Sequence, residues 1–104
     1  LHSGGAAPDA EALMRSRYSA YVLGLEDYLL GTWHTDTRPA RLDLGPGASP
    51  KWLGLKVIRH ELNGTDRAVV EFVASYKSFG FARRMHETSR FVRIDGRWVY
   101  IDGK

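Results

Sequence analysis

The stretch "MHETSRFVRIDGRWVY", residues 85–100, sets a carboxylate among greasy neighbours. Read as two strands folded about Asp95-Gly96, its alternation puts Glu87 on one face with Met85, Ser89 and Phe91, and across the turn with Trp98 and Tyr100. These are the parts of a general acid–base site, with Glu87 to take a proton and the hydroxyls of Ser89 and Tyr100 to donate hydrogen bonds. A cation joins them, because Arg17 lies at the centre of the apolar stripe of the first helical segment. An arginine beside a carboxylate lowers its pKa by about 1–3 units, whereas a base working at neutral pH wants a value near 7. The preferred reading is therefore a buried pair of Arg17 with Glu87, or with another acid, that orients helix on sheet and that becomes an anion site if a ligand displaces one partner. No catalytic residue is assigned, and Glu87 and Tyr100 stand as the candidates.

A second cluster, "TWHTDTR", holds Trp33, His34, Asp36 and Arg38. It reads as the rim of a pocket, with His34 carrying a proton and Arg38 meeting an anion, or more simply as a helix end whose Trp33 packs inward while His34 caps terminal carbonyls. Together with Arg17 and Glu87, the candidate ligand-binding residues are Tyr21, Trp33, His34, Ser89, Phe91 and Tyr100. Metal sites are not supported: "HE" occurs at His60-Glu61 and His86-Glu87 without a second ligand pair at helical spacing, and there is no cysteine. The "GPGASPK" segment lacks phosphate-loop spacing, and Pro46 and Pro50 remove amide donors from it. Arg83, Arg84, Arg90, Arg93 and Arg97 crowd one hairpin beside Phe91 and Trp98, a mix suited to single-stranded nucleic acid. Rings that face a core cannot stack on bases, so nucleic-acid binding is the minor alternative.

The elements that must position these groups follow from periodicity. After "LHSGGAA", which reads as the flexible end of a trimmed domain over residues 1–7, Pro8 opens a helix favoured by Asp9 and Glu11 at its positive end. Ala10, Leu13, Met14, Arg17 and Tyr21 form its inner stripe, with Arg15, Ser16 and Ser19 outside. A second helix runs from Glu26 to about Trp33 after the Gly24 break, and "TDTRPARLDL" has room for one more turn before the "GPGASP" loop. Four strands follow, at about 52–62, 67–76, 82–94 and 97–101, turned at Asn63-Gly64, through Gly80, and at Asp95-Gly96. The last turn predicts Ile94 opposite Arg97, Val92 opposite Val99 and Phe91 opposite Tyr100. Leu53, Leu55 and Val57 are expected on the inner face with Val70, Phe72, Ala74 and Tyr76. The outer face then carries Lys56, Ile58, Val69, Glu71, Val73, His86, Thr88, Arg90, Val92, Val99 and Ile101, half greasy and half charged. Such a face suits a homodimer or an adjacent domain.

Composition bounds the rest. The chain of 104 residues, 43% apolar with 12% aromatic, supports one domain spanning 1–104 with one modest core. Its net charge of +3 is what a solvated surface carries. No apolar run approaches the roughly 20 residues of a membrane span, and no leader pattern opens the chain, so a cytoplasmic protein without membrane contact is expected.

The segments "HSGGAAPDAEALMRSRYSAYV", "YLLGTWHTDTRP", "WLGLKV", "VEFVASY" and "HETSRFVRIDGRWVYIDG" resemble, in order and over nearly the whole chain, the YchJ family of bacterial proteins, specifically its central domain of nuclear transport factor 2-like fold. The resemblance implies an α+β cone, two or three amino-terminal helices packed on a curved four-stranded antiparallel sheet. It does not select a chemistry, since that fold hosts enzymes such as ketosteroid isomerase alongside pure binding modules. Family members carry a Cys-rich zinc-binding SEC-C segment; this chain has no cysteine, so no zinc and no other cofactor is expected in it. The function expected is a non-catalytic binding or interaction module, with a small-molecule or enzyme-like pocket in the cone as the alternative. An open cavity of a few hundred Å³ would favour the pocket, and one sealed by Trp33, Tyr21 and Phe91 would favour docking.

Overall fold

The computed structural model describes residues 7–42 and 51–104. The expected flexible end, but for Ala7, and the "GPGASP" loop lie outside the described residues. Helix α1 spans Ala10–Leu23 and α2 spans Glu26–Gly31; strands β1 (Lys51–Leu62), β2 (Arg67–Ser78), β3 (Phe81–Ile94) and β4 (Arg97–Gly103) follow. They form an antiparallel meander in the order β1-β2-β3-β4, with α1 packed against one face.

Helix α1 starts two residues later than Pro8 suggests. Asp9 is its N-cap, accepting a hydrogen bond from the Ala12 amide at 2.7 Å, and Gly24 ends it in the left-handed region at φ 71°. The inner stripe is as expected for Ala10, Leu13, Met14 and Arg17, all buried. Ser16 is a correction, because it is buried too. It faces α2, where its hydroxyl meets the Leu13 carbonyl and the Tyr28 hydroxyl. The second helix is shorter than expected. It stops at Gly31, and the chain then runs beside β4: the Tyr100 amide donates to the Thr32 carbonyl at 2.8 Å, and the His34 amide to the Tyr100 carbonyl at 2.7 Å.

Both two-residue turns carry positive φ at each central position, 51° and 78° at Asp95-Gly96 and 51° and 83° at Phe79-Gly80, the type I′ pattern. The Asp95-Gly96 turn fixes the register as its spacing predicts, Ile94 with Arg97, Val92 with Val99 and Phe91 with Tyr100. Strand β1 departs from plain alternation. Register shifts fall between Trp52 and Gly54 and between Val57 and Arg59, so Leu53 and Ile58 are the extra residues. Each bulge reverses the parity of the inward positions. Trp52, not Leu53, pairs with Tyr76 on the inner face; Leu55 and Val57 follow as expected; beyond Ile58 the inner position passes to His60. Leu53 is accordingly half exposed.

The core lies between α1 and this inner face, with Val70, Phe72, Ala74, Phe91 and Trp98 on the sheet side and Ala10, Leu13 and Met14 on the helix side. Phe91 is fully buried, and its truncation to alanine would cost about 3–5 kcal/mol. The outer face is laced with charge. Arg59 meets Glu61 and Glu71, Glu71 also meets His86, and Arg90 forks onto Asp102 through two 2.6 Å bonds. Hydrogen bonding by His86 and then Arg59 holds the Glu71 carboxyl below the usual carboxylate range.

At the β2–β3 turn, Phe79 combines φ 51° with a ring that is 98% exposed. A bulky residue in the left-handed region carries strain that asparagine at the first position of a type I′ turn does not. Phe79→Asn should raise unfolding stability by about 1 kcal/mol, read as a higher denaturant midpoint at unchanged m-value.

Candidate functional site

Helix α1 lies across the sheet without filling the space beneath its second half. A partly open cavity of about 250 Å³ remains there. Its apolar end is built from Met14 and Tyr18 on the helix and Trp52, Phe72, Ala74 and Met85 on the sheet. Trp52 anchors this end, with Tyr18 edge-on at 5.7 Å and Tyr21 at 6.3 Å between ring centroids. The polar end gathers Arg17, Tyr21, Glu87, Ser89 and Tyr100.

The expected Arg17–Glu87 ion pair is not formed. Among the described residues no salt bridge joins them; Arg17 is buried and donates from Nη1 to the Leu29 carbonyl at 2.7 Å and to Thr32 Oγ1 at 2.6 Å. Its guanidinium also lies 4.5 Å from the Tyr100 ring centroid and 5.0 Å from that of Trp33. The physical reason is the short α2. Ending at Gly31, it brings a carbonyl and a hydroxyl to the guanidinium, and these with two ring faces compensate a buried cation without an acid. Desolvation lowers the Arg17 pKa from its usual value, with the neighbouring tyrosines and Glu87 opposing.

Glu87 is instead held by its own strand. Its Oε2 accepts a 2.5 Å hydrogen bond from Ser89 Oγ, two residues along the same face. Gly103, paired with Ser89 across β3 and β4, makes room for that carboxylate: a Cβ there would stand 2.2 Å from Glu87 Cδ and Oε2. Glycine is needed at this position for the close approach, whatever its backbone angles. Carboxylate and guanidinium thus share one cavity while each is bonded elsewhere. Two phenols line the cavity with them. Burial raises the pKa of Tyr100 and of Tyr21, Glu87 adds to both shifts, and Arg17 opposes them, so both hydroxyls remain protonated donors well into alkaline solution.

Of the residues singled out from the sequence, Arg17, Tyr21, Glu87, Ser89, Phe91 and Tyr100 come together around the cavity. Trp33 and His34 are not among its lining residues. Trp33 stacks edge-on to Tyr100 at 4.9 Å and covers Arg17 from the side of α2. The His34 ring accepts from the Asp36 amide through Nδ1, capping a turn amide rather than helix carbonyls. Arg38 reaches the Leu30 carbonyl at 3.3 Å, and so serves the end of α2. Of the other lining residues, Met14, Phe72, Ala74 and Met85 lie on the expected inner stripe and inner face, and sequence reasoning missed Tyr18 and Trp52. Tyr18 was legible, since it falls four residues after Met14 and three before Tyr21, both on the inner stripe. Trp52 was hidden by the first bulge. Among the described residues no group of three or more His, Cys, Asp or Glu side chains could hold a metal, and no helix is long and apolar enough to cross a membrane.

Two outcomes check this geometry. Gly103→Ala should destabilise the fold by about 1–3 kcal/mol by displacing the Glu87 side chain, and most of that loss should vanish in a Glu87→Ala background, as a double-mutant cycle of denaturant unfolding would read. The phenols give the second. Above pH 10 the unfolded chain releases tyrosine protons that Tyr21 and Tyr100 retain when folded, so stability falls as pH rises through the ordinary phenol range, and Tyr100→Phe should flatten that fall.

Comparison with known proteins places the molecule. Residues 9–103 match the family model described as YchJ, middle NTF2-like domain. A UPF0225 protein of Polaromonas naphthalenivorans is 62% identical over 97 residues, covering 93% of this chain and 70% of that protein. A UPF0225 protein of Xanthomonas campestris is 56% identical over 104 residues, covering 99% and 81%. Two solved SEC-C motif containing proteins share the fold. The solution structure from Rhodopseudomonas palustris superposes with a TM-score of 0.82 at 33% identity, covering 96% of this chain and 80% of that one. The crystal structure from Psychrobacter arcticus gives 0.78 at 31%, covering 95% and 62%. The α+β arrangement of two helices on a four-stranded antiparallel sheet is therefore the nuclear transport factor 2-like fold, and the chain belongs to the YchJ (UPF0225) family as its middle domain.

Proposed function

We propose that this domain is a binding module whose occupant is a small, partly apolar molecule seated between α1 and the sheet. The observation that carries the reading is a partly open cavity of about 250 Å³ in which Glu87 keeps Oε1 free of any hydrogen bond from a described residue. The volume lies just below the roughly 300–1,000 Å³ of sites for drug-sized ligands, so the occupant is compact. A cavity kept merely as a packing defect would be lined by apolar groups; this one has a carboxylate, a guanidinium and two phenols at one end and aromatic rings at the other. That division is typical of a ligand site, with apolar walls for affinity and a few polar groups for orientation.

The outer sheet face supports docking of a second copy or an adjacent domain less well. Val69, Val73, Val92 and Val99 are half-buried there, yet the Arg59–Glu71–His86 net and the Arg90–Asp102 fork run between them. Interface cores are depleted in charged residues, and burying this net would desolvate it.

A thermal-shift screen of compact fragments on this domain tests the reading. A ligand at 100 times its Kd stabilises by about 2.7 kcal/mol, which raises the melting temperature of a domain this size by about 10 °C or more. Ala74→Leu projects new side-chain volume into the cavity and should abolish every such shift while leaving the circular dichroism spectrum intact. Hits that survive Ala74→Leu undiminished would place binding elsewhere on the domain.

A further inference from the structure

Resting on the cavity reading, one feature of its polar end narrows the chemistry of the occupant. Two opposite charges line the same space without neutralising each other. Glu87 offers Oε1, its Oε2 being held by Ser89 and pressed over Gly103. Arg17 spends Nη1 on Leu29 and Thr32, lines the cavity and acts on the Tyr21 hydroxyl. Both charges act on the phenols of Tyr21 and Tyr100, so the two charges and two hydroxyls form one polar cluster. The apolar end begins directly beyond it, at Tyr18, Trp52, Phe72 and Met85.

Each simple ligand class meets an obstacle in this arrangement. A lone cation drawn to Glu87 and the rings enters the field of Arg17 in a site poorly screened by water. A lone anion drawn to Arg17 enters the field of Glu87. A wholly apolar molecule strips water from both charges and returns no hydrogen bond. A molecule bearing both signs at one end and an apolar group at the other meets none of these penalties. We infer that the cavity takes a compact zwitterion of the α-amino-acid kind, its ammonium on Glu87, its carboxylate on Arg17 and the phenols, and its apolar or aromatic side chain against Trp52 and Tyr18. The separation of Arg17 from Glu87 then has a use, because an ion pair closed between them would shut the ligand out.

The test compares four probes of one skeleton by isothermal titration at pH 7: L-phenylalanine as the zwitterion, phenethylamine as the cation, 3-phenylpropanoate as the anion and 2-phenylethanol as the neutral form. L-phenylalanine should bind at least tenfold tighter than each of the other three. In Glu87→Gln the order should invert, with 3-phenylpropanoate overtaking L-phenylalanine, a change of preference that loss of structure alone cannot produce. If the amine, the anion or the alcohol binds the wild-type domain as tightly as L-phenylalanine, or if the preference survives Glu87→Gln, the zwitterion assignment is wrong while the cavity reading stands. If no probe binds up to millimolar concentration and the fragment screen gives no shift sensitive to Ala74→Leu, both readings fall.

Discussion

The structure depends on a buried guanidinium that has been made comfortable without an acid. Arg17 sits in the middle of α1, and burial of a charge there would be costly if it were unpaired. Its Nη1 bonds reach Leu29 and Thr32, and its plane meets Trp33 and Tyr100. Those partners come from three different places: the end of α2, the segment that leaves it, and β4. One side chain thereby ties the helical layer to the last strand of the sheet. The backbone bonds between Thr32, His34 and Tyr100 close the same junction from outside. The contacts are mutually dependent, since Thr32 must follow a short α2 for its hydroxyl to reach the guanidinium, and Tyr100 must keep its register for its ring to lie beneath it.

That solution has a consequence for Glu87. Had α2 continued to Trp33, the Leu29 carbonyl would have been spent within the helix and the guanidinium would have needed a carboxylate. Because it does not, Glu87 is released to its own neighbourhood, where Ser89 and the missing side chain at Gly103 hold it. The cavity is the space left between two charges that each found other partners. Its apolar walls follow from the same helix. Met14 and Tyr21, on the stripe that carries Arg17, line it with Tyr18, and they face the part of the sheet where Ala74 contributes little volume.

Much of this was legible from residue types and spacing, and the failures have identifiable causes. The meander, the Asp95-Gly96 register and the membership of β2 and β3 in the inner face follow from strict alternation and strong turn residues, which leave little room for another answer. Strand β1 lies at the sheet edge and carries two bulges, and a single extra residue inverts every inward position beyond it. Leu53 and Trp52 exchanged places for that reason alone. The pairing of Arg17 was misjudged because a buried arginine in a sequence invites the nearest acid on the facing strand, whereas carbonyls, a hydroxyl and ring faces are invisible to a reading of charges. Trp33 and His34 were drawn into the pocket by the length assumed for α2; two residues fewer of helix redirect both toward β4.

An irregularity in the β3–β4 ladder makes the room that the Glu87 carboxylate occupies. Past Phe91, the β3–β4 ladder slips by one residue, so Arg90 pairs with Asp102 and Ser89 with Gly103. Without that slip Ser89 would face Asp102, and a side chain would occupy the place now left empty for the Glu87 carboxylate. An acid on an inner sheet face would ordinarily be crowded by a cross-strand neighbour and forced toward solvent or into an ion pair. Here the bulge supplies a glycine beside the carboxylate, which stays within the cavity with Oε2 bonded to Ser89. The same slip carries Asp102 to the outer face, where Arg90 grips it. A single irregularity in the ladder thus sorts two acids, one into the surface ion-pair net and the other into the cavity.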